Sequence, residues 1–102
     1  MGEQGCGAGD EIARCFAANL IRIRGARGIT QEALAFQASL HRTEVGQLER
    51  GVRIARIDTL VKLAGALGIA PVELLAGIRW EPGSTRTGGW RLPASWVCPR
   101  SR

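Results

Sequence analysis

Residues 31–50 read "QEALAFQASLHRTEVGQLER". Leu34, Ala35 and Ala38 keep helical spacing before Ser39, and Val45 and Leu48 keep it after. Neither Gly nor Pro marks the break between them. The spacing predicts two short helices held at an angle, with Leu34, Ala38, Leu40, Val45 and Leu48 buried. Where two helices cross closely the inner residue of the first must be small, and Ala35 is. The turn residue is expected in a left-handed conformation, which costs Ser39 about 1 kcal/mol relative to glycine.

Outward from this pair the helical signals continue. Thr30 is a good N-cap for the first of the two helices, with Gln31 and Glu32 in its opening turn, and Gly51 stops the second, which runs from about His41 to Glu49. Upstream, Asp10 caps a helix whose apolar residues recur at Ile12, Phe16, Leu20 and Ile23 and which ends near Arg24 to Arg27. Downstream, Ile57, Leu60, Val61, Leu63, Ala64 and Leu67 predict a fourth helix closed by Gly68. Pro71 opens a fifth that Gly77 ends. The chain divides into a flexible Gly-rich N-terminal arm (1–9), an all-α domain of five helices (10–77) and a C-terminal extension (78–102). In the extension, Ile78, Arg79 and Trp80 and then Trp90, Arg91 and Leu92 can pair as a β-hairpin.

The motifs "IRGARGITQEALA", "GQLERG" and "LVKLAGALGIAPVELLAG" together resemble the five-helix, lambda-repressor-like DNA-binding domain of the Cro/C1 or XRE helix-turn-helix family. The likeness covers about residues 12–77. The chain departs from the family pattern at three places: Ser39 stands for the turn Gly, His41 for the usual Ser or Thr cap, and Gly46 for a polar residue facing the groove.

The resemblance implies that the helix beginning near His41 enters the major groove of duplex DNA. On that helix Arg42 is the best placed base reader, since a guanidinium grips guanine O6 and N7 together. Thr43 would touch a thymine methyl, Glu44 would accept from cytosine N4 and Gln47 would pair with adenine. Gln31, at the positive start of its helix, matches a family position for phosphate contact. Arg53 and Arg56 match further phosphate positions, and His41 and Arg50 join them as candidates. Arg24 and Glu49 occupy the positions of a family ion pair, which implies a partly buried structural pair fixing the angle of the reading helix.

One such helix reads only a few base pairs, so the resemblance also implies a homodimer on a palindromic operator. Ile78, Trp80, Trp90 and Leu92 are the candidate dimer contact, through strand pairing and tryptophan packing against a second copy. The expected role is a transcriptional regulator, a repressor, in the cytoplasm on the nucleoid. A DNA-binding antitoxin subunit of a toxin–antitoxin pair shares every residue argued so far. A protein-interaction module on the same fold is the rival from another class, favoured by Glu44, Gly46 and the tryptophans.

Composition agrees with this reading. The 102 residues are 45% hydrophobic and 23% charged, which suits one small folded domain, and the formal net charge is +5 with the positive charge carried mostly by Arg. Cys6, Cys15 and Cys98 form no C-x-x-C pair and His41 is the single histidine, so no metal site, no cofactor and no catalytic constellation is expected. No apolar run approaches the roughly 20 residues of a membrane span.

Overall fold

In a computed structural model of the protein, residues 8–83 and 88–92 are described. Four α-helices form in order: α1 (Ala8–Arg27), α2 (Gln31–Ala38), α3 (Arg42–Glu49) and α4 (Ile57–Leu67). A 3-10 turn (Pro71–Leu75) and two strands, β1 (Arg79–Glu81) and β2 (Gly89–Arg91), follow. The helix expected from Asp10 already begins at Ala8, so the proposed arm loses its last two residues to α1, while residues 1–7, including Cys6, lie outside the described residues.

One hydrogen-bond pattern closes all four helices. The chain leaves each through a residue of positive φ, namely Gly28 (67°), Ser39 (58°), Gly51 (73°) and Gly68 (71°). The amide just beyond reaches back five residues: Ile29 to Arg24, Leu40 to Ala35, Val52 to Gln47 and Ile69 to Ala64. Three of these ends use glycine. The fourth, between α2 and α3, places a side-chain-bearing serine in the left-handed region, as the sequence predicts. At the front of α2, Thr30 Oγ1 accepts from the Ala33 amide at 3.0 Å.

The core collects the inward stripes of every helix. Leu20, Leu34, Val45, Leu48, Leu63 and Leu74 are fully buried, with Phe16, Ile23, Ala35, Ala38, Ala64 and Leu67 around them. Leu40 is half-buried against this cluster. α1 packs on α3 and on the 3-10 turn, and α2 packs on α3 and α4. α3 is therefore supported from two sides.

The predicted fifth helix forms only as the 3-10 turn. Five residues between Pro71 and the residues leading to Gly77 (φ 81°) are too few to repay α-helix nucleation, so the segment closes with tighter bonds such as Glu73 N–H to Ala70 O at 2.9 Å. Two of its orphan carbonyls are met from α1: buried Asn19 donates Nδ2 to Leu74 O at 2.9 Å and to Ala76 O at 3.3 Å. The strands are shifted one residue inward from the expected ends. Ile78 and Leu92 flank the antiparallel pair, whose register sets Arg79 opposite Arg91 and Trp80 opposite Trp90. β2 also touches α1.

Candidate nucleic-acid interface

α3 has one buried side and one open side. Val45, Leu48 and Glu49 face the core, whereas Arg42 and Thr43 are exposed and Glu44, Gly46 and Gln47 are half-buried. Spacing explains the division, since positions three and four apart share a face. Ahead of α3, His41 is exposed and serves as its cap: Nδ1 accepts from the Thr43 amide at 3.1 Å. An imidazole thus takes the place of the hydroxyl that usually does this.

The angle of α3 is fixed through Glu49. Its carboxylate receives Arg24 Nε on one oxygen and Arg24 Nη2 at 3.0 Å on the other, a fork on a carboxylate with 5% side-chain exposure. Arg24 Nη1 also donates to Ile29 O at 2.8 Å, which pins the turn into α2. Donating hydrogen bonds to Glu49 pushes the Arg24 guanidinium above its usual range, so it stays charged.

Most candidate base-reading side chains already have partners in the free protein. Arg42 Nη1 lies 2.6 Å from Glu32 Oε2, an exposed pair bridging α3 to the start of α2. Arg53, in the loop after α3, donates Nη1 to Gln47 Oε1 at 3.0 Å and sets Nη2 3.4 Å from Glu44 Oε2. Sequence reasoning placed Glu32 in the opening turn of α2 without foreseeing its contact with Arg42, and gave Arg53 only a phosphate role. The helical spacing of Glu44 and Gln47 hints at a shared partner, but nothing in the sequence says that the Gly51 reversal returns Arg53 to them.

The candidate phosphate residues are not one cluster. Gln31 is half-buried with its amide on Glu49 Oε1 at 2.8 Å, which leaves the α2 backbone start as the open group there. Arg50 is exposed at the end of α3, and Arg56 is exposed with Nε 3.4 Å from Asp58 Oδ1 at the front of α4. In the hairpin, Trp80 and Trp90 stack edge to face with ring centroids 5.0 Å apart and stay 48% and 37% exposed. Charge is uneven along the chain. In residues 78–102, Arg79, Arg86, Arg91, Arg100 and Arg102 are offset only by Glu81, which is four of the five net positive charges. The helical domain is nearly neutral, so its attraction for a polyanion depends on where each arginine sits rather than on total charge.

Among the described residues no three His, Cys, Asp or Glu side chains group to hold a metal ion, and no helix is long and apolar enough to cross a membrane. Cys15 is buried and free, while Cys98 lies outside the described residues.

A family model described as "Helix-turn-helix" (HTH_3) matches residues 20–74. Control protein C.BamHI of Bacillus amyloliquefaciens is 45% identical over 47 residues, which is 46% of this chain and 58% of that protein. The chain thus spans little more than half the length of that relative. The uncharacterized HTH-type transcriptional regulator y4dJ of Sinorhizobium fredii is 33% identical over 76 residues, 74% of this chain and 99% of the relative. The crystal structure of the restriction-modification controller protein C.AhdI from Aeromonas hydrophila superposes with a TM-score of 0.60 at 44% identity, covering 61% of this chain and 94% of that one.

Proposed function

The chain belongs to the helix-turn-helix family, and from that premise we propose that it binds duplex DNA sequence-specifically as a transcriptional regulator, acting as a repressor through α3. The observation that carries this reading is the split of α3. Its inner side is locked to the core through Val45, Leu48 and Glu49, while Arg42, Thr43, Glu44 and Gln47 stand on the side away from the core, the first two exposed and the last two half-buried. In this reading those four residues meet base edges, and His41, Arg50, Arg53, Arg56 and the α2 start at Gln31 hold phosphates.

Selection of bound duplexes from a random pool tests the proposal. The expected product is a palindrome whose half-sites lie about one helical turn apart. Arg42→Ala is expected to flatten the preference at a guanine in each half-site. A pool that yields no common sequence would remove the reading.

The second half-site needs a second copy. We place the dimer contact on Ile78, Trp80, Trp90 and Leu92, supported by the exposed Trp80 and Trp90 on a sheet with two strands among the described residues. Ile57 and Val61, one turn apart on α4 and 80% and 52% exposed, offer another apolar face. A chain ending at Gly77 that still sediments as a dimer would move the contact to α4.

Among regulators, two relatives, a control protein and a restriction-modification controller, favour control of a restriction-modification system. Binding of the protein upstream of a neighbouring endonuclease gene tests this. Co-purification with a toxin would favour the antitoxin reading instead.

A further inference from the structure

Arg53 lies in the loop beyond Gly51, yet its guanidinium returns to the open side of α3 and spans Gln47 and Glu44, one turn apart. Arginine has no acceptor atom, so the amide atom of Gln47 that faces it must be the oxygen. That contact, at 3.0 Å, leaves the Gln47 NH2 as the group free to meet a base. Pairing with adenine requires the amide to use both ends, accepting from N6 and donating to N7. Held on Arg53, the oxygen is not free to turn to adenine N6, whereas the outward NH2 donors suit guanine O6 and N7 or thymine O4. The same guanidinium, 3.4 Å from the Glu44 carboxylate, offsets a negative charge that would otherwise repel phosphates.

We infer that Arg53 is a specificity-determining residue that acts through Gln47: it turns the amide so that this position selects guanine or thymine over adenine. The inference rests on the DNA-binding reading above and deepens it. It replaces the adenine contact expected for Gln47 from sequence and gives Arg53 a role in base choice beyond the phosphate contact proposed above.

The experiment uses the full chain and the duplex selected from the random pool, together with its single-base variants at every position of one half-site. In wild type, one base pair prefers guanine or thymine, and Gln47→Ala erases that preference. In Arg53→Ala the guanine-to-adenine affinity ratio at that same pair moves toward adenine by about tenfold, while the ranking at the other pairs stays. In the Gln47→Ala background, Arg53→Ala changes nothing further at that pair. Arg53→Met keeps the side chain's length without a donor, so it shows the same shift.

Uniform weakening across all variants, with the base ranking intact in both Arg53 substitutions and a salt slope reduced by about one in Arg53→Ala, is the behaviour of a plain phosphate contact and would overturn the inference. Failure of wild type to select any duplex would instead overturn the underlying reading, and this assignment with it. The two failures are distinct, because the first requires a selected site and the second denies one.

Discussion

The Gln31 side-chain amide donates to Glu49 Oε1 at 2.8 Å, the same oxygen that Arg24 Nη2 reaches at 3.0 Å. One carboxylate at the end of α3 therefore ties down the end of α1 and the start of α2. Removing it in Glu49→Ala strands the Arg24 guanidinium, whose side chain is 20% exposed, and releases Gln31. A partly wet arginine moderates the loss, so about 2–3 kcal/mol is expected. In a domain of this size that lowers the melting temperature by roughly 10 °C or more. Glu49→Gln should fall between. A melt that does not move would sink the structural role of the pair.

Ser39 pays in backbone strain what glycine would not. Its φ of 58° and ψ of 42° lie in the left-handed region, and its amide closes α2 in the same manner as the glycines closing the other helices. Ser39→Gly is expected to raise the urea midpoint by an amount equivalent to some tenths up to about 1 kcal/mol, the gain being reduced by the greater freedom of glycine in the unfolded chain. A lower midpoint would show that the serine side chain holds the turn by some other means.

Gly46 and Gly51, five residues apart, should respond to alanine with opposite signs. Gly46 sits inside α3, and a Cβ there would meet only Arg50 Nη1 at 3.4 Å, the tip of a flexible side chain. Gly46→Ala is expected to stabilise by about 0.5–1 kcal/mol. Gly51 has φ 73°, and its Cβ would lie 3.3 Å from the Arg14 Cα and 3.0 Å from Arg14 Cγ. Gly51→Ala should destabilise by more than about 1 kcal/mol, through strain and through pushing α1 away from the end of α3. Denaturant titration of both variants decides it.

What was legible in the sequence is what repeats locally. Helical spacing located α1 to α4, and the position of Ser39 between two apolar stripes with no glycine was enough to assign its conformation. The contacts that shape the open side of α3 were not legible. Glu32 meets Arg42 from ten residues away, and Arg53 meets Gln47 from six, because turns with left-handed residues fold one element over another. Side-chain chemistry alone does not specify those crossings. Pro71 to Leu75 has the composition of an α-helix start and forms a 3-10 turn because of its shortness and its anchoring by Asn19.

Cys15 should be inert to alkylation in the native protein at neutral pH. It is 1% exposed, and burial pushes its thiol above the ordinary value of 9.0. The unfolded chain releases that proton at lower pH than the folded one does. The stability contribution is whole below the unfolded value and fades as pH rises through the folded value. Peptide mapping after iodoacetamide treatment should find Cys15 unmodified at pH 7 and modified once denaturant is added. Native modification at Cys15 as fast as in the denatured chain would contradict its burial.

Glu32 is expected to affect DNA binding without affecting stability. Its contact with Arg42 at 2.6 Å joins two side chains that are 70% and 64% exposed, and water screens such a pair to less than about 1 kcal/mol. Glu32→Gln should therefore melt like wild type. On a duplex the same contact matters in two opposing ways. The carboxylate competes with guanine for the Arg42 fork and adds negative charge near the backbone, yet it also holds the guanidinium in one place. Loss of the charge should tighten binding to random duplex, most visibly at low salt, where repulsion is least screened. Loss of the hold should let Arg42 sample more positions, so selected duplexes gain less than random ones and the ratio between them narrows. Titrating both duplexes at two salt concentrations separates the effects. If random-duplex affinity is unchanged while the selected duplex binds more weakly, Glu32 serves only to position Arg42, and the competition between carboxylate and guanine drops out.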